Sequence, residues 1–300
     1  MAAERADLTA RDFLLEYLSH APVALALLRA IECRELAELG LDAPILDLGC
    51  GDGLFGELFL RPREAIGLDR AGPELRAAAR RNVYRALICG DIGRLPFADA
   101  SFATVFSNGV LEHVCNLQQG VQEIHRILRP GGRLICTVPT MEDERQLAGA
   151  SILRAFGLQG LSQLYAEGYN RFFGQVNLYN AEGWRRIFAE AGLHLVHHRA
   201  YAPASVFRLH DLTMPFSLPA FLCKRLTGRW VLWPGFRRAT IARLWTRFLK
   251  RIYADQSLPG CSLLLVAVRE QAAPEDQAFA AANASQGVTT LEAMCPRGNR

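Results

Sequence analysis

Among its eight cysteines (33, 50, 89, 115, 136, 223, 261 and 295) the chain has no pair at C-x-x-C spacing and no other metal-ligand spacing. That excludes zinc-ribbon and thioredoxin-type sites, and the placement of several in apolar runs predicts buried thiols in a reducing compartment. No metal site is expected. An uninterrupted apolar run of membrane-spanning length is also missing. The first residues carry Glu4, Arg5 and Asp7, and the apolar stretch from Ala21 to Ala30 is too short and too late for a signal peptide. A cytoplasmic location is the expectation. Acidic residues are missing from one long window: between Leu212 and Ala254 there are nine lysines and arginines and no aspartate or glutamate, although the whole chain is only +4. The basicity is therefore local, and the remainder is net acidic. No internal repeat is present.

With 300 residues, half of them hydrophobic, the chain can bury a sizeable core. From Pro44 onward strand-like and helix-like segments alternate, which argues a parallel sheet covered on both faces. Strands are predicted near 44–48, 65–69, 86–89, 102–107, 132–138, 193–200 and 261–269, and helices near 54–60, 73–82, 111–115, 118–128 and 181–191. Before them, Thr9 is placed to cap a helix through Phe13, Leu14, Tyr17 and Leu18, and a second helix carries Val23, Leu27, Leu28 and Ile31 on one face. Residues 1–43 thus form a helical preface, a lid or a pair packed on the sheet edge. The rest divides into a domain over 44–270, a cap insertion at 141–180, a basic insertion at 201–260, and a polar, aperiodic tail at 271–300 expected to be disordered.

The most informative stretch is Ile45-Leu46-Asp47-Leu48-Gly49-Cys50-Gly51-Asp52-Gly53-Leu54-Phe55-Gly56, an apolar strand followed at once by closely spaced glycines and a helical pattern. Glycine allows the positive φ of a tight strand-to-helix turn and lets a nucleoside lie against the backbone. Gly51-x-Gly53-x-x-Gly56, with Asp69 following, matches the dinucleotide fingerprint literally, so a nicotinamide-dependent oxidoreductase stands as an alternative. The preceding Asp47-x-Gly49 does not belong to that fingerprint. Asp47-x-Gly49-x-Gly51-x-Gly53 resembles motif I of class I S-adenosylmethionine (SAM) dependent methyltransferases, of the group that includes the ubiquinone and menaquinone biosynthesis enzymes. Ile66-Gly67-Leu68-Asp69, Gly90-Asp91-Ile92 with Leu95-Pro96-Phe97, Val110-Leu111-Glu112-His113-Val114, and Leu128-Arg129-Pro130-Gly131-Gly132 follow in that family's order.

The resemblance implies an α/β, Rossmann-like sheet of seven strands, mostly parallel with the last antiparallel, and SAM as cofactor. It implies that Gly49, Gly51 and Gly53 pack against the cofactor, that Asp47 holds its amino-acid end, and that Asp69 takes the ribose hydroxyls. Asp91 and the Ile92 backbone would frame the adenine, while Ser107 and Asn108 face the departing methyl group. Ser107-Asn108-Gly109-Val110 stands where an Asn-Pro-Pro-Tyr element would mark adenine or glutamine amide N-methylation, which disfavours those substrates. His113 is the candidate general base, with a structural role for Glu112-His113 as the competing reading; Asp52 and Asp99 read as solvent-facing turn carboxylates. A third possibility is an inert scaffold of the same fold that binds a membrane or a partner.

In the basic insertion, Ile241, Leu244, Trp245, Phe248 and Ile252 fall on one helical face, with arginines and Lys250 on the other. Such a helix suits an anionic membrane surface, and a docked helix with a solvated basic face is the plainer alternative. No nucleic-acid module accompanies it, so no nucleic-acid partner is expected. The aromatic content of both insertions predicts a small, apolar or lipid-like methyl acceptor and a peripheral membrane association.

Overall fold

The computed structural model describes residues 8, 10–60, 65–140, 146–257 and 260–271. Helices α1 (Phe13–His20) and α2 (Val23–Ala37) precede the sheet. Thr9 lies outside the described residues. The cap of the first helix is Asp12, whose carboxylate accepts from the Leu15 amide at 3.0 Å.

The sheet runs β1 (Ile45–Leu48), β2 (Ala65–Asp69), β3 (Ala86–Cys89), β4 (Phe102–Asn108), β5 (Leu128–Pro139), β6 (Leu193–Pro203) and β7 (Gly260–Arg269). Its spatial order is β3-β2-β1-β4-β5-β7-β6, with β7 antiparallel to both neighbours. This is the α/β, seven-stranded arrangement the resemblance implied. The order reverses between β1 and β4, and in open α/β sheets ligands bind beyond the carboxyl ends of the strands at such a switch point. α3 (Gly72–Ala79), α4 (Leu117–Ile127) and α7 (Ala181–Glu190) link the strands. The segment predicted as a helix at 54–60 closes as a π turn over Gly56–Leu60.

Two apolar cores flank the sheet, because strands buried on both faces must be covered twice. One gathers Phe13, Leu14, Tyr17, Leu27 and Ile31 of α1 and α2 with Phe59 and Phe106, and Phe55 stacks on Phe106 at 5.0 Å. The helical preface is thus built into a core. The other gathers Val121 and Ile124 of α4 with Trp184 and Phe188 of α7 on the opposite face.

The cap insertion contributes α5 (Ala148–Ala155) and α6 (Gln159–Phe173), and the basic insertion α8 (Ala204–Thr213), α9 (Leu218–Thr227) and α10 (Arg243–Ala254). The two pack on each other through Asp211 of α8, which accepts from the Gly149 amide at 2.9 Å and the Tyr165 hydroxyl at 2.6 Å. α10 departs from the face the pattern predicted. Leu249 is buried and Trp245 and Ile252 pack inward, whereas Ile241, Leu244 and Phe248 remain exposed. The apolar arc is wider than the domain can cover, so it splits into an inner and an outer stripe. The tail called disordered at 271–300 lies outside the described residues from 272 on. Among the described residues no helix is long and apolar enough to cross a membrane.

Candidate active site

The loop after β1 is fixed from behind by β2. The amides of Gly49 and Cys50 both donate to the Leu68 carbonyl, at 2.7 and 3.0 Å. Gly49, Gly51 and Gly53 all have positive φ, and a Cβ on Gly49 would lie 2.3 Å from Val110, so the turn admits no side chain there. Asp69, at the tip of β2, accepts the Gly51 amide on one carboxylate oxygen and the Ala71 amide on the other, at 2.9 and 2.8 Å. Each oxygen keeps a lone pair for a further donor.

Around this tip lies a cavity of about 650 Å³ lined by Gly49, Asp69, Gly90, Asp91, Ile92 and His113, with Val110, Asn116 and Gln119 across from them. Asp91 closes its own turn by accepting from the Gly93 amide at 2.8 Å, and Gln119 donates to the Gly93 carbonyl at 2.9 Å. Arg126 of α4 braces the same segment with bonds to the Leu95 and Phe97 carbonyls, 2.9 and 2.7 Å, and pairs with Asp99 and Glu123. Asp99 is exposed as predicted. Asp52 is not: it is buried, accepts from the Leu54 amide and pairs at 3.4 Å with Lys224, which reaches back from the basic insertion.

Of the other residues predicted to hold the cofactor, Asp47, Gly51, Gly53, Ser107 and Asn108 do not line this cavity. Asp47 is buried behind the loop under the Tyr84 hydroxyl, which donates to it, and burial pushes its carboxyl up to about 7 against that bond. Ser107 is fully buried in β4. Asn108 belongs to a polar cluster in which Arg29 of α2 donates to it at 2.6 Å and to Glu32 at 2.8 Å, while Thr137 donates to the same amide oxygen.

That cluster is part of a second, smaller chamber of about 180 Å³, which shares Gly109, His113 and Phe173 with the first. Arg29, Glu32 and Glu112 form its polar side; Tyr169 and Phe173 of α6, and Phe207 and His210 of α8, form an aromatic side. His210 is held near 4 by burial and stays neutral, taking part in a 3.0 Å bond with the Tyr169 hydroxyl. Burial likewise raises Glu112 to about 7, with the Arg29 charge opposing it, and its Oε2 has no hydrogen-bond partner among the described residues. None of these chamber residues except Glu112 and His113 falls in a recognisable motif. They come from the helical preface and the insertions, where helical periodicity marks a buried face but not a polar site.

His113 stands where the two cavities meet. It follows a 3-10 turn, Leu111–His113, clamped from the cap side. Asn177 donates to the Leu111 and Val114 carbonyls, and the Val176 and Asn177 amides donate to the Glu112 carbonyl. Its Nδ1 lies 3.1 Å from the Gly174 carbonyl, which can only accept, so Nδ1 carries the proton and Nε2 is the nitrogen with the lone pair, 3.6 Å from Glu112 Oε1. Burial lowers its pKa and keeps that neutral tautomer at neutral pH. Among the described residues no three His, Cys, Asp or Glu side chains come together to hold a metal ion.

Residues 46–136 match the family model described as a methyltransferase domain. Over those residues the chain is similar to SAM-dependent methyltransferase domains. The residues present fit that cofactor: two acidic groups at strand tips, Asp69 and Asp91, face a cavity whose floor is bare backbone at Gly49. Over 105 residues the chain is 35% identical to a malonyl-acyl-carrier-protein O-methyltransferase of Pseudescherichia vulneris, covering 34% of this chain and 42% of that one. Over 127 residues it is 32% identical to a probable tRNA methyltransferase 9B of Homo sapiens, covering 41% and 27%. The matches thus span under half the length of these curated relatives. Among solved structures, the cyclase SpnF superposes with a TM-score of 0.52 at 17% identity over 81% of this chain and 82% of its own. A Haemonchus contortus N-methyltransferase, described in complex with phosphomonomethylethanolamine and S-adenosylhomocysteine, gives 0.50 at 18% identity over 84% and 54%. At these identities the superpositions speak for the fold alone.

Proposed function

We propose that this protein transfers the methyl group of SAM to an oxygen, carbon or nitrogen of a small, apolar or lipid-like acceptor held in the chamber beneath α6 and α8. The observation that carries the reading is the shared wall: one cavity at the tips of β1 and β2 and one under the insertions meet at His113. SAM, when bound, supplies an already activated methyl group, so the protein's work is alignment, exclusion of water and disposal of a proton. Asp69 is positioned to accept both ribose hydroxyls with the lone pairs its backbone bonds leave free. Asp91 and the Ile92 backbone frame the adenine. Gly49, Gly51 and Gly53 present bare backbone, and Asp47 acts on the amino-acid end from behind the loop, through its backbone or a water. Ser107 belongs to the rigid end of β4, and Asn108 holds Arg29 against the chamber. His113 Nε2 takes the proton of an acceptor that needs to lose one.

The matched region of the curated relatives covers the cofactor half of the fold, so their acceptors do not transfer with it. The aromatic wall supplied by Tyr169, Phe173 and Phe207 supports an apolar acceptor body, and the polar opposite wall its reacting end. Incubation of the protein and SAM with a cell extract, followed by untargeted mass spectrometry, tests the reading. A metabolite gaining one methylene in mass is expected with the wild type and a product yield at least roughly tenfold lower with His113→Gln, the contribution of one general base. No methylated product from any fraction contradicts it.

A further inference from the structure

Among the described residues, every large apolar side chain left exposed, Val196 excepted, belongs to one of the two insertions. Phe156 and Phe172 of the cap, and Phe216, Leu226, Trp233 and Phe236 of the basic insertion, are each at least two-thirds exposed. A soluble domain rarely leaves apolar groups of this size concentrated on one part of its surface without a use for them. The domain itself explains none of them, since its two cores are already filled by the sheet and its flanking helices.

The charges around them have the same property. Of the nine basic residues between Leu212 and Ala254, two are committed inward: Arg237 donates to the Leu18 and Ala21 carbonyls, and Lys224 pairs with Asp52 and Glu74. The other seven, Arg225, Arg229, Arg238, Arg243, Arg247, Lys250 and Arg251, are exposed, and none has a carboxylate partner among the described residues. α10 shows how the two features are combined. Its inner stripe, Trp245, Leu249 and Ile252, anchors it to the domain. Leu244 and Phe248 form an outer apolar stripe one turn apart, continuing Ile241 of the preceding turn, and Arg247 and Arg251 lie on the flank next to that stripe. A helix glued on one side, apolar on the next and cationic beyond is the arrangement of an interfacial helix.

We infer that the basic insertion, led by α10, docks onto an anionic lipid surface, with Leu244, Phe248, Trp233 and Phe236 entering the interface and the unpaired arginines and Lys250 meeting the headgroups. A carrier protein or nucleic acid of negative charge would satisfy the cations but leave the apolar stripe unexplained, and a second copy of the chain would bring like charges together. A bilayer satisfies both at once. The insertion that docks also supplies Phe207 and His210 to the acceptor chamber, so an acceptor dissolved in the bilayer would be met by the side of the protein that receives it. The docking itself does not depend on methyl transfer and is measured without cofactor.

The test is flotation of the full chain with vesicles of phosphatidylcholine alone and of phosphatidylcholine mixed with phosphatidylglycerol. Recovery with the mixed vesicles is expected to exceed that with phosphatidylcholine by roughly a hundredfold or more in partition coefficient at low salt, given the contribution of each basic residue near a charged surface, and to fall steeply as salt rises. Two variants, L244S/F248S and R243Q/R247Q/K250Q, alter only exposed side chains; each is expected to keep the wild-type melting temperature and S-adenosylhomocysteine binding while losing at least roughly tenfold of that partition. Equal recovery in the unbound fraction with both vesicle types overturns the inference. So does undiminished binding by both variants. Self-association of the wild type in gel filtration, abolished by L244S/F248S and unaccompanied by flotation, also overturns it and assigns the stripe to a second copy.

Discussion

Glu112 carries the clearest energetic tension of any single residue. It is buried beside Arg29, which is itself shared with Glu32 and Asn108, and one carboxylate oxygen lacks a partner among the described residues. Its carboxyl is raised from the ordinary 4.5 to about 7. A folded-state value above the unfolded one means the fold binds this proton more tightly than the open chain does. The associated stability is therefore complete below about 4.5 and lost as pH rises through about 7. The loss is on the order of 3 kcal/mol. Asp47 shifts in the same direction, so the cofactor-free protein should melt at progressively lower temperature as pH rises from about 4.5 to about 7, with the decline levelling off above that. Glu112→Gln, which cannot ionise, should show a shallower decline by differential scanning calorimetry; a decline as steep as the wild type's would mean that the carboxylate is buried at no cost. At this scale the sequence was legible where a residue type serves one purpose. Gly49, Gly51 and Gly53 form the positive-φ turn the spacing predicted, and Asp69 ends β2 beside it. Asp52 was misread because its partner, Lys224, lies 172 positions away in sequence and only folding brings the two within 3.4 Å.

Among the elements, strands were readable where they are short apolar runs, as Ile45–Leu48 is between Pro44 and Gly49, and all seven observed strands overlap the predicted positions, β5 starting four residues earlier. Helix faces were less so. The pattern of α10 marks a broad apolar arc but not which part of it finds a core, since that depends on where α1 and α2 leave space. Leu249→Ala should therefore cost about 2–5 kcal/mol, as a truncation in a filled core does, whereas Leu244→Ser, one turn earlier and exposed, should change stability by no more than about 0.5 kcal/mol. Urea denaturation of the two variants checks the assignment, and equal losses would place Leu244 in the core. The turn carrying His113 offers the same lesson in polar form. It is held by Asn177 and Gly174, which lie in a cap segment whose sequence shows only aromatics and gives no sign that its backbone clamps the site.

For the molecule as a whole, alternation gave a parallel sheet covered on both faces up to β5, after which the two insertions interrupt the pattern, and the seven-strand topology with an antiparallel β7 came from the family resemblance and not from local signal. What could not be read was that the insertions meet. Asp211 joins α8 to Gly149 and Tyr165, and that junction makes one roof over the chamber out of segments separated by a helix and a strand. The account rests on the cavity at the tips of β1 and β2 being built for a sulfonium nucleoside and not for a nicotinamide dinucleotide. Isothermal titration calorimetry with S-adenosylhomocysteine and with NADH and NADPH measures this directly. The account predicts one-to-one binding of S-adenosylhomocysteine, weakened by at least roughly tenfold in Asp69→Ala through loss of its charge-assisted hydrogen bonds, and no heat from either dinucleotide. Binding of a dinucleotide with none of S-adenosylhomocysteine would contradict it.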